Sequence, residues 1–179
     1  MRDICAAAGA NVAAINYHFD GKAGLYMEVL RTAVAIMRTT TDDMIAAGEG
    51  HPPEAQLEFL ILTFLQRVIA GQDSWIHQLM LQEMRQPTGG MDLVVEQVIG
   101  PRFAYVRAVV ARLLGLGDMD PLVLACATSV QSQLMVALRN PVAVKLGMPP
   151  LTIDRVPEVA SHIARFSLAG IRAMRDHAD

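Results

Sequence analysis

The chain has 179 residues, of which 53% are hydrophobic and 18% charged, with a formal net charge of −3. That apolar content excludes a disordered chain and suits one or two domains, and the negative balance excludes attachment to nucleic acid by bulk charge alone. No apolar run is long enough for a membrane span, since the nearest candidate, Leu122 to Leu138, is interrupted by Ser129, Gln131, Ser132 and Gln133.

Aromatics are only 5% of the chain while Ala, Leu, Val and Met abound, so the expected core is helix against helix, an all-α fold. Arg2 to Ala8 reads as a short helix ended by Gly9, because glycine takes the left-handed conformation at little cost. Asn11 caps a second short helix over 12–19, in which Ile15 and Phe19 share a face. Asp20-Gly21 is a turn, and Lys22 opens a long third helix to about Ile45, with Leu25, Val29, Ala33, Ile36 and Met37 at helical spacing. Gly48, Gly50 and Pro52-Pro53 then break the chain, which divides it into residues 1–45 and 46–179.

In the second part, Leu57, Leu60, Ile61, Phe64, Leu65 and Val68 make an apolar stripe over 54–70. Gly71 ends that helix, and Ser74 caps the next, from Trp75 to about Arg85. After a loop over 87–90, helix is expected from Asp92 to Leu114, bent or broken at Gly100-Pro101 because proline lacks an N–H. Asp120-Pro121 is a good helix start; that helix should run to Arg139 and stop at Asn140-Pro141. A last helix is expected from Asp154 to about Arg175, with no β-alternation anywhere.

Two short helices joined by a tight glycine-containing turn form the geometry of a helix-turn-helix. RDIxxxAG, NxxxINYHF and GKxGLY, in this order and spacing, resemble the DNA-binding signature of the TetR family of repressors. LQEMRQPT at 81–88, IGPRF at 99–103 and HIARFSLAGI at 162–171 are similar to the C-terminal domain of its CecR-like subgroup, so the resemblance covers nearly the whole chain. Many family members carry Tyr where this chain has Asn16, followed here by Tyr17. The family also begins one helix before Arg2, and no capping residue precedes Met1. Without that helix Ile4, Ala8, Ile15 and Phe19 would lack a partner on one side. The expectation is therefore a helix-turn-helix lacking its first helix, through a misassigned start or a natural variant that has lost DNA binding.

The resemblance implies a double-stranded DNA operator as partner, provided the first helix is restored. Asn11, Ala13, Ala14 and Asn16 are candidates for base edges, since small residues approach thymine methyls and Asn pairs with adenine. Tyr17, His18 and Lys22 are candidates for phosphates. Tyr17 as a core residue and His18 as a cap or packing residue are the alternatives. Residues 1–40 hold four cations against three anions, a net of +1, so the motif rather than the charge carries the DNA-binding expectation.

The resemblance also implies an apolar pocket for a small-molecule effector within the C-terminal helices. Phe59, Phe64, Trp75, Met80, Met84, Phe103 and Met135 are candidate walls, each with core packing as its alternative. His77, Gln78, Arg107 and Gln131 are candidate polar contacts. A homodimer is implied too. Val123, Cys126, Val130, Leu134 and Leu138 have heptad-like spacing, and Val159, Ile163, Phe166 and Gly170 line a face of the last helix beside the small Ala160, Ala164, Ser167 and Ala173. Two such helices from each of two chains would make a four-helix interface, unless they pack only within one chain.

Cys5 and Cys126 fit no disulfide framework, and the histidines at 18, 51, 77, 162 and 177 form no metal-binding pair, so neither metal nor cofactor is expected. There is no GxSxG, P-loop or dinucleotide-binding glycine motif; Gly115-Leu116-Gly117 is a helix end, and Glu83 and Arg85 near His77 have no nucleophile to serve. An enzyme is not expected. The N-terminus lacks a basic start and an apolar segment, which points to the cytoplasm. The leading reading is a dimeric repressor released by a small molecule. The other is a helical ligand-binding and dimerisation module without DNA binding. An in-frame amphipathic helix encoded upstream of Met1 would favour the first.

Overall fold

The computed structural model describes residues 1–71, 74–136 and 144–176, and all regular structure among them is helical. The elements are α1 (Arg2–Ala8), α2 (Val12–Phe19), α3 (Gly21–Gly48), α4 (Pro53–Ala70), α5 (Trp75–Arg85), α6 (Met91–Val94), a π turn (Val95–Ile99), α7 (Gly100–Leu114), α8 (Pro121–Val136), a 3-10 turn (Ile153–Arg155) and α9 (Val156–Arg175). No helix of the described residues is long and apolar enough to cross a membrane.

Local chemistry sets most of these ends. Gly9 closes α1 at φ 61°, in the left-handed region. Asn11 accepts the Ala14 N–H at 2.7 Å, Ser74 accepts the His77 N–H at 3.2 Å, and Asp120 accepts the Leu122 N–H at 2.8 Å. Each satisfies a donor that the first helical turn leaves unpaired. Helix α3 runs three residues past the expected Ile45, and α9 begins at Val156 behind the 3-10 turn rather than at Asp154. Leu138 and the expected stop at Asn140-Pro141 lie outside the described residues.

At Gly100-Pro101 the helix is not broken. Gly100 donates its N–H to the Val95 carbonyl, five residues back, and the widened turn relieves the clash that a proline ring makes in a regular helix. The turn also has a register effect. Residues four apart drift by about 40° per step around a regular helix. Over the three steps of Val94, Val98, Arg102 and Val106 the drift would reach about 120°, and a π turn takes back roughly 100° of it. The four side chains thus share one side of the helix.

Two cores result. The larger joins α4, α7, α8 and α9 through residues such as Leu57, Ile61, Leu65, Val106, Val110, Val123, Val130, Leu134 and Ile163, with Met44 of α3 added. The smaller joins Leu30 and Val34 of α3 to Val94 and Val98, with Met27, Met37, Leu79, Met80, Met91 and Leu93 around them. The Leu30 side chain of α3 packs closely over Gly90 at the start of α6, where a Cβ would lie 2.0 Å from Leu30 Cδ2 and would displace that side chain. Because α8 is held between α7 and α9, the heptad residues Val123, Val130 and Leu134 are buried within the chain, as is Ile163 of α9. Cys126 and Val159 are partly buried against the same core. Val123, Val130, Leu134 and Ile163 thus serve the internal core, while Cys126 and Val159 keep part of their surface exposed. Phe166, 66% exposed, and the exposed Gly170 face outward.

Candidate functional site

The N-terminal helices present a small, open surface. In α2 only Ile15 is buried, so it has the cover that the sequence left in doubt, whereas Ile4 remains 49% exposed. Asn11, Ala13, Asn16, Tyr17, His18 and Lys22 are all exposed, and Ala14 is half-buried. Tyr17 is no core residue, being 85% exposed, and its ring meets that of His18 edge-on with centroids 5.0 Å apart. Asn11 spends its carbonyl oxygen on the cap, which leaves its NH2 group for another partner. Asp20 ends α2 in the left-handed region at φ 55°, a conformation that Asp tolerates better than most residues. The chain then turns into α3 so tightly that a Cβ on Gly24 would lie 1.6 Å from the Phe19 carbonyl oxygen. The second glycine of GKxGLY is thus the seat on which the end of α2 rests.

A cavity of about 690 Å³ lies between the two cores, walled by α3, α4, α5, α6, the π turn, α7 and α8. Six of its wall residues are methionines, Met37, Met44, Met80, Met84, Met91 and Met135. Arg102 projects from α7 into this wall with its guanidinium 4.5 Å from the centre of the Phe64 ring. Burial lowers its pKa to about 10, so it stays protonated at neutral pH. Arg67 also lines the cavity, but it is exposed and donates to the Thr40 carbonyl. Glu83, 1% exposed, accepts from the Tyr26 hydroxyl at 2.5 Å, from the Thr88 N–H at 3.2 Å and from the Thr88 hydroxyl at 2.9 Å. Burial pushes the Glu83 pKa up, but the hydrogen bonds from Tyr26 and Thr88 outweigh it and hold it below the ordinary value.

Residues 53–171 match the family model for the C-terminal domain of the HTH-type transcriptional dual regulator CecR, and residues 1–29 match that for bacterial regulatory proteins of the tetR family. The chain belongs to the TetR family, in its CecR-like branch. It is also 28% identical over 128 residues to the HTH-type transcriptional dual regulator CecR of Shigella flexneri, a match spanning 66% of this chain and 57% of that protein. In a TetR-family chain α1 and α2 are the helix-turn-helix, followed by a helical domain.

Of the residues expected to meet a ligand in this TetR-family domain, Phe64, His77, Met80, Met84, Gln131 and Met135 line the cavity. The other five do not. Phe59 and Trp75 point outward, 39% and 48% exposed, and Gln78 is exposed as well. Phe103 packs against the larger core, one residue around the helix from Arg102. Arg107 is held by Asp118 in two contacts, 2.9 Å and 2.6 Å long. Sequence reasoning missed Arg102 and Glu83 as wall residues. A spacing of four links Arg102 to Val94, Val98 and Val106, but it drifts round a regular helix and is aligned only by the π turn. For Glu83 no local signal exists, since its tie to Tyr26 spans 57 residues.

Proposed function

We propose that this chain is a dimeric transcriptional repressor whose α2 reads an operator and whose cavity takes a small molecule that releases it. The observation that carries this reading is that one helix serves both places. The first turns of α3 seat α2 at Gly24, and further along Ile36, Met37, Thr40, Thr41 and Met44 form one side of the cavity. Any ligand that prefers one tilt of α3 then biases the position of α2, and by no more than its differential affinity for the two tilts. A division into residues 1–45 and 46–179 would separate the parts by chain order, while α3 (Gly21–Gly48) runs across it and joins them physically.

The test is fluorescence anisotropy with the promoter fragment beside the gene, using the gene's full reading frame. Lys22, exposed in the first turn of α3, should act on phosphates. Lys22→Ala should weaken binding similarly across DNA sequences and lower the slope of log affinity against log salt by roughly one. A selective loss on one sequence would instead make Lys22 a base reader. Absence of any sequence preference in the parent protein would overturn the repressor reading.

A palindromic operator calls for two copies of α2, and the outward face of α9 with Phe166 and Gly170 is the surface proposed for pairing. A Cβ on Gly170 meets nothing within 4 Å inside the chain. Gly170→Leu should therefore leave the monomer fold alone and act only between copies, costing about 1–3 kcal/mol at each of two symmetric sites. Sedimentation should show a shift to monomer. An unchanged dimer would move the interface elsewhere.

A further inference from the structure

Two buried side-chain polar atoms have no hydrogen-bond partner among the described residues, Nε of Arg102 and Oε1 of Gln131. Both residues line the same cavity, from different helices. Buried polar atoms are almost always paired, and a buried charge without a partner is more costly still. Neither atom satisfies the other. Arg102 has the Phe64 ring as its contact, which supports the face of the guanidinium and leaves its N–H edge for an acceptor. The Glu83 carboxylate in the same wall is taken up by Tyr26 and Thr88, so it does not neutralise Arg102.

We propose that the cavity binds an amphipathic organic anion, with its acidic group on the Arg102 guanidinium and an N–H or O–H donor on Gln131 Oε1. This rests on the reading of the cavity as the effector site. The guanidinium edge matches carboxylate, sulfonate or phosphate oxygens in pairs. An inorganic ion would fill little of a space of about 690 Å³ whose walls are mainly methionine and aliphatic side chains, so the anion carries an apolar body. The π turn belongs to the same design, because it brings Arg102 to the side of the helix that Val94 and Val98 occupy.

Two fluorescent probes separate charge from apolar burial. Anilinonaphthalene sulfonate carries an anion, aromatic rings and an N–H; phenylnaphthylamine keeps the rings and the N–H without the anion. On the full chain, Arg102→Met should weaken the sulfonate roughly ten- to a hundredfold and leave the neutral amine within about twofold. Arg102→Gln should behave alike, should the first variant fail to fold by circular dichroism, and Arg102→Lys should recover part of the affinity. Gln131→Leu should weaken both probes about fivefold; no change with either overturns the Gln131 contact. Met135→Trp, which fills the cavity, should block both probes. If Met135→Trp blocks both while the Arg102 variants bind the sulfonate as the parent does, the anion proposal fails and the ligand cavity stands. If Met135→Trp leaves both probes bound, the cavity reading itself fails, and the proposal with it.

Discussion

Gly24→Ala should abolish operator binding while leaving the helical domain folded. The added Cβ would fall 1.6 Å from the Phe19 carbonyl oxygen and 2.8 Å from its carbonyl carbon, both backbone atoms that cannot rotate aside. Overpacking of this kind costs about 1–3 kcal/mol where the surroundings absorb it. Here α2 is short and buries only Ile15, so the strain is relieved by lifting α2 off α3. Limited proteolysis should then cut within residues 1–21 at an increased rate. The thermal transition of the larger core, which contains no residue of α1 or α2, should stay near that of the parent. Operator binding by Gly24→Ala at parental affinity would show that α2 does not depend on this seat.

The second large effect concerns the Tyr26–Glu83 contact. Glu83→Ala removes the shared acceptor of the half-buried Tyr26 hydroxyl and of the Thr88 N–H and hydroxyl, and hydrogen bonds to a charged group contribute about 1.5–3 kcal/mol each. Glu83→Gln keeps one oxygen acceptor and should lose less. The pH dependence has two flanks. Glu83 has a folded pKa below its ordinary 4.5, so its contribution is complete above that value and is lost as pH falls towards the folded one. Tyr26 has its pKa raised from 10 to about 12 by burial and then by Glu83. Its contribution is complete below pH 10 and is lost as pH rises towards about 12. Urea unfolding across pH should show both flanks in the parent, and Tyr26→Phe should flatten the alkaline one. An alkaline flank unchanged in Tyr26→Phe would assign it to another group.

Helix boundaries were the most legible part of the sequence, because caps act within a few residues. Gly9, Asn11, Ser74 and Asp120 each do what their residue type favours, without help from the rest of the fold. Side-chain destination was less legible. Val123, Val130 and Leu134 have the spacing of an intermolecular seam, but that spacing marks an apolar stripe and does not say which helix covers it. Here α7 and α9 do. Arg102 was hidden for a different reason. Its position depends on a π turn, and the sequence shows only a Gly-Pro pair, which also reads as a break. Phe103, the more obvious ligand-facing side chain, lies one residue too far round.

The six methionines of the cavity have a consequence for what it admits. A thioether chain is unbranched and shifts between rotamers cheaply, so such a wall moulds itself to its guest. A lining of branched aliphatic side chains would instead reject guests by outline. With a yielding wall, shape discriminates weakly, and selection falls to the features that cannot yield, a cation pinned on an aromatic ring and a carbonyl on a packed helix. If the cavity is the effector site, as proposed, chemically unrelated molecules that share an anionic end would be held alike, and close isosteres without that charge would be held more weakly.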